Sequence, residues 1–215
     1  MKIHDNSTSA FNINVIGAWN QAIFSPEWVK ANLAEDKERD VMMAMSFPVT
    51  AAPVRITVDS INIYPSAQIL TLDAATVSDE LMATCASKFR QIAALLPHTP
   101  VTGMGINFRF VGSVDDSAGL AELFTFPDAG NIDAAVFRAV SAGIKRGFAL
   151  ADGRTLFLTL ENANGMLTVE FNFHSDVRTV EEMSNYLTPE RPAQLKKMAI
   201  DFLSNVYDID LELAQ

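Results

Sequence analysis

The sequence predicts an α+β fold: a largely antiparallel sheet with helices packed on one face, a ferredoxin-like N-terminal half, then a β-meander and C-terminal helices. Three observations carry this expectation. Strand-like runs alternate apolar and polar residues, as "GINFRF" does. Other segments repeat apolar residues at spacings of three and four behind recognisable caps. The dipeptides "DG" at 152–153 and "NG" at 164–165 each lie between strand-like runs, the strongest local cue for a hairpin.

The elements follow in chain order. "NINVIGAW" is the first strand. "FSPEWV" begins a helix, with Ser25 as N-cap, Pro26 in the first turn and a Phe24 to Val29 staple across the cap; Trp28 is expected in the core. After the charged run "EDKERD" come the strands "VMMAMSF", "VRITVDSINIY" and "QILTLDA", with Arg55, Thr57 and Asp59 forming an organised polar side. Ser78 caps a helix of about four to five turns, whose stripe is Leu81, Cys85, Phe89, Ile92 and Leu96, with Pro97 beyond its end. "GMGINFRFV" is the next strand. Residues 114–135, rich in turn formers, read as a connector between an N-terminal half (1–113) and a C-terminal half (136–215), one continuous domain being the alternative.

In the meander, two-residue loops would pair Ala151 with Arg154 and Ala163 with Met166. That register sets Gly147, Ala149, Leu156, Leu158, Leu160, Val169, Phe171 and Phe173 on a core face. It sets Arg146, Phe148, Phe157, Thr159, Glu170, Asn172 and His174 on the reverse, with Phe148 opposite Phe157. "TVEE" offers a capping box from Thr179 and Glu182. The last helix, capped by Thr188, would bury Leu195, Met198, Ala199, Phe202 and Val206.

Composition limits the function. The formal charge is −10 in 215 residues, which argues against nucleic acid or an anionic membrane surface as a partner, because both reward Lys and Arg clusters. No leader peptide or spanning segment is expected. The single Cys85 fits a reducing, cytoplasmic compartment and, on an apolar stripe, reads as a structural thiol.

The three histidines, His4, His98 and His174, lack ligand spacing, so neither a metal nor another cofactor is expected. His4 belongs to a polar N-terminus and His98 to a loop between prolines. "GMG" starts a strand rather than opening a helix, so its glycines admit a close neighbour and do not form a phosphate loop. Asp208, Asp210 and Glu212 alternate and would point one way on an extended tail, the simplest reading being a solvated acidic terminus.

The stretches "LLPHTPVTGMGINFRF" and "TVEFNFH", each joining a strand and a helix, resemble a sporadically distributed prokaryotic family of uncharacterised proteins of similar size. The resemblance implies neither a catalytic residue nor a substrate.

The non-core side of the strands carries Asn12, Asn14, Arg55, Asp59, Asn107, Arg109, Arg146, Phe148, Phe157, Glu170, Asn172 and His174. Amides, arginines and aromatics of this kind suit a covered surface better than a solvated one. The expectation is therefore a non-enzymatic protein-interaction or self-association module, with a protein partner or a second copy on that face. The alternative is a small-molecule-binding protein or hydrolytic enzyme with a groove around His174, Glu170 and Arg109, in which Glu170 orients the imidazole.

Overall fold

A computed structural model describes residues 2–4, 11–38, 40–45, 54–74, 76–113, 123–124, 126–134, 140–163 and 165–212; of 2–4, 113, 129, 133–134 and 210–212 it describes the backbone alone. Its first elements are β1 (Lys2–His4), β2 (Phe11–Gly17), α1 (Pro26–Leu33), β3 (Met42–Ala44), β4 (Arg55–Val58), β5 (Ile61–Pro65), β6 (Ile69–Ala74) and α2 (Asp79–Leu95). There follow β7 (Val101–Ser113), α3 (Ala129–Ala134), β8 (Ser141–Ala149), β9 (Thr155–Ala163), β10 (Met166–Ser175), α4 (Val180–Tyr186), α5 (Arg191–Tyr207) and β11 (Asp210–Glu212). Half of the expected connector, 114–122 with 125 and 135, lies outside the described residues.

Nine strands form one antiparallel sheet in the order β3-β4-β5-β6-β2-β7-β10-β9-β8. The run β7-β2-β6-β5 is the ferredoxin-like order: α1 connects β2 to strands beyond β6, and α2 connects β6 to β7 across β2. The expected α+β class, with its ferredoxin-like half and meander, is what the chain builds. By its contacts the chain falls into two compact units, one of 1–7, 108–172 and 196–215 and the other of 8–107 and 173–195.

In the unit of 8–107 and 173–195, the alternation of β2, β5 and β6 sends Phe11, Ile13, Val15, Ile61, Ile63, Leu70 and Leu72 inward, all fully buried. Burying a side chain of this size contributes about 1.5–3 kcal/mol. α2 packs on β2, β5 and β6, and α1 on β4 and α2. The caps are as expected: Trp28 N–H donates to Ser25 Oγ (3.2 Å), Leu81 N–H to Ser78 Oγ (3.2 Å) and Glu182 N–H to Thr179 Oγ1 (3.1 Å). Glu182 reaches back to the N–H of Arg178, closing the turn that starts α4.

Trp28 is only half-buried, with its ring edge-on to the buried Phe24 at 5.4 Å; Trp19 is the core tryptophan and donates to the Val15 carbonyl. The inward face of α2 is also turned from the expected stripe. Met82, Ala86 and Lys88 join Cys85, Phe89 and Ile92 there, while Leu81 and Leu96 are half-buried.

In the unit of 1–7, 108–172 and 196–215, the inward residues of β9 and β10 are as expected, with Leu156, Leu158, Leu160, Val169 and Phe171 buried. The register of β8 is not. It pairs Phe148 with Leu156 and Gly147 with Phe157, one residue away from the expected pairing. The cause is the loop. Leu150 N–H donates to the Arg154 carbonyl at 2.8 Å and Gly153 N–H to the Leu150 carbonyl at 3.0 Å, so the turn has three residues, Ala151–Gly153. Gly153 sits at φ +84°, the left-handed position that ends such a loop.

Because side chains alternate, a slip of one residue turns the whole of β8 over. Phe148 joins the core side, edge-on to Phe202 of α5 at 5.2 Å. Gly147 and Ala149 move to the reverse side. α5 presents Leu195, Ala199 and Leu203, all buried, whereas Met198 and Val206 of the expected stripe are 45% and 54% exposed. β1 and β11 form a separate parallel pair, His4 beside Glu212 and Lys2 beside Asp210. Residues 2–4 and 210–212 are therefore partner strands.

Candidate interaction surface

On the outward side of β4, β5, β6, β2 and β7, the register places Thr57 opposite Asn62, Asn62 opposite Asp73, and Asp73 opposite Asn12. Four hydrogen bonds of 2.7 Å stitch this side together: Thr57 Oγ1 to Asn62 Oδ1, Asn62 Nδ2 to Asp73 Oδ1, Thr71 Oγ1 to Asn14 Oδ1, and Asn107 Nδ2 to Asn12 Oδ1. These side chains are half-buried. Cross-strand polar pairs of this kind each stabilise a sheet by about 0.2–1 kcal/mol. Tyr64, opposite Thr71, has its phenol pKa raised, first by partial burial and then by the Asp73 carboxylate. Asn12, Asn14 and Asn107, which the sequence placed on one face, are thus bonded to neighbouring polar side chains across the strands.

Asp59 does not belong to this polar side, although the alternation of Arg55 and Thr57 suggested that it would. It is the first of two turn residues joining β4 to β5, at φ 48°, followed by Ser60 at φ 63°. Its carboxylate accepts from the Glu35 N–H at 2.9 Å and from the Lys88 ammonium at 2.8 Å. Lys88 is 2% exposed and also donates to the Leu33 carbonyl at 2.8 Å. One buried ion pair therefore joins the middle of α2, the end of α1 and the β4–β5 turn. Sequence reading missed it because a lysine in an apolar stripe looks solvated. The available signal was its spacing of three from Cys85.

At the start of β7, a Cβ on Gly103 would lie 3.3 Å from the His174 ring. The glycine makes room for a neighbouring side chain, as the sequence implied. The half-buried His174 has its Nε2 3.2 Å from Asp176, whose side chain is 91% exposed. His98 is exposed in its loop. Burial pushes the Cys85 thiol pKa far up, with Asp73 adding to the effect, so the sulfur is a packing group. Among the described residues, no group of three or more His, Cys, Asp or Glu is arranged to hold a metal ion, and no helix is long and apolar enough to cross a membrane.

The unit of 1–7, 108–172 and 196–215 contains six of the surface residues picked out from the sequence: Arg109, Arg146, Phe148, Phe157, Glu170 and Asn172. Four lie on the outward side of its sheet: Arg109, Phe157, Glu170 and the half-buried Asn172. Arg109 Nε and Glu170 Oε1 are 3.4 Å apart, each side chain half exposed. Phe157 is 46% exposed and Met166, of the same parity as Glu170, is 48% exposed. Phe157 lies against Gly147, whose missing Cβ would stand 3.5 Å from the ring.

The other two residues, Arg146 and Phe148, are carried to the helix side by the register of β8. Arg146 donates to Tyr207 Oη at 3.0 Å with its guanidinium 5.8 Å from the ring centre, a cation–π contact at the end of α5. The Phe148–Phe157 pair expected on the outer face does not form, and Glu170 faces Arg109. Asn107 and His174 belong to the other unit.

The residues define a sheet protein with an ordered polar flank and, on its meander, an outer surface of aromatic, methionine and paired charge. No protein-family model matches the chain, and no curated protein matches it either.

Proposed function

We propose that the chain is a non-enzymatic self-association module that pairs with a second copy through the outer face of its meander. The observation that carries this reading is the exposure of Phe157 and Met166 on the same side of the meander as the half-exposed Arg109–Glu170 pair. Aromatic, methionine and arginine side chains are the types enriched where proteins meet. A surface bearing one cation and one anion beside an exposed aromatic residue can also be self-complementary, with Arg109 of each copy meeting Glu170 of the other.

Light scattering on the eluting protein tests the proposal. A mass that rises towards twice the monomer with concentration is expected, and Phe157→Asp abolishes the rise without changing the circular-dichroism spectrum. A strict monomer at about 1 mM, where even an association of about −4 kcal/mol populates dimer, overturns it.

A further inference from the structure

β8 ends the sheet, and among the described residues no strand pairs with its outer side. The hydrogen bond from Leu150 to Arg154 fixes which of its backbone groups face β9. Residues of even number, 142 to 148, exchange bonds with β9; Ser141, Gly143, Lys145, Gly147 and Ala149 turn their N–H and C=O groups outward. Without a strand partner among the described residues, this row is a template for an added strand. Four of its five residues are serine, glycine or alanine, so side chains leave the approach open. Lys145 is the fifth.

The two faces of β8 differ in chemistry. Even positions present Ile144 and Phe148, both half-buried, on the core side, while Lys145 is the charge on the outer side. Lys145 and Arg146 are the strand's only charged side chains, in a chain of net charge −10. Arg146 is engaged with Tyr207. A second copy of β8 makes a poor occupant, because antiparallel self-pairing centred on the strand sets lysine against lysine.

We propose that β8 binds an extended acidic segment of a partner protein by strand addition. Apolar residues of that segment continue the Ile144 and Phe148 side, and alternate acidic residues meet Lys145. The surface is distinct from the Phe157 face, and the inference does not depend on self-association.

The test uses a fluorescein-labelled peptide of alternating valine and glutamate, ten residues long, and its valine–lysine counterpart, with binding to the full chain followed by anisotropy. The valine–glutamate peptide should bind saturably and the lysine peptide should not. Lys145→Glu should weaken binding by about tenfold. Gly143→Pro removes one outward N–H and no bond to β9, and should abolish binding while leaving the self-association mass unchanged.

Amide exchange of the unaltered chain provides a reading that needs no variant. The N–H groups of Gly143, Lys145 and Gly147 should exchange quickly in the free protein and slowly with peptide bound. Equal binding of the two peptides, no binding of the acidic one, or outer N–H groups already protected in the free chain would each overturn the proposal.

Discussion

At the scale of single residues, the Lys88–Asp59 pair has the largest consequences. Both groups are almost wholly removed from water, at 2% and 7% side-chain exposure, and each is held by a backbone group as well as by its partner. Removing one member of such a pair strands the other charge, which costs about 3–5 kcal/mol. Asp59→Asn is the informative change, because asparagine tolerates the left-handed backbone that Asp59 adopts. The turn then survives and only the charge is lost. Urea denaturation should show that loss as a lower midpoint with an unchanged slope; a change below about 1 kcal/mol would mean that water reaches the pair.

Cys85 gives a second test at this scale. Its pKa is driven up by burial, so the thiol should resist a disulfide reagent at pH 8 in the folded chain and react at once in denaturant. Prompt labelling of the native protein would contradict its placement on the inward face of α2. The thiol was legible from the sequence because its neighbours at spacings of three and four are apolar. Lys88 was not, because its burial depends on a carboxylate 29 positions away in a turn.

At the scale of elements, three helix caps were read correctly, whereas the register of β8 and the Asp59–Ser60 turn that divides "VRITVDSINIY" into β4 and β5 were not. Ser25, Ser78 and Thr179 cap their helices because a hydroxyl two or three residues ahead of a free N–H needs nothing more distant. The "DG" loop is different. Asp-Gly serves a two-residue turn and also the last two places of a three-residue loop, and those alternatives differ by a whole strand face. What selects the longer loop is burial: it brings Phe148 to Phe202 and leaves Gly147 where the ring of Phe157 covers it. Gly153→Ala should cost about 1–2 kcal/mol, since a side chain at φ +84° is strained. Deleting Ala151 should cost more, because the shorter turn forces the other register and expels Phe148 from the core. Thermal unfolding of both variants checks the order; equal stability of the deletion would show that either register packs.

At the scale of the whole molecule, the α+β class with its ferredoxin-like half was legible from the succession strand, helix, strands, helix, strand, whereas the order of the nine strands was not, because it rests on pairings between segments far apart in the chain. The charge of −10 was plain, and it determines how self-association responds to salt. Two such chains with centres about 40 Å apart repel by roughly 10 kcal/mol in unscreened water. Screening leaves about 3 kcal/mol of this at 10 mM salt and under about 0.1 kcal/mol at 150 mM. The exchanged Arg109–Glu170 contacts are exposed and contribute only about 0–1 kcal/mol each, too little to reverse the sign. Dimerisation should therefore weaken by roughly a hundredfold when salt is lowered from 150 to 10 mM, as sedimentation equilibrium would measure. A dimer that tightened at low salt would mean that the ion pairs dominate, and would move the weight of the interface from Phe157 to Arg109 and Glu170.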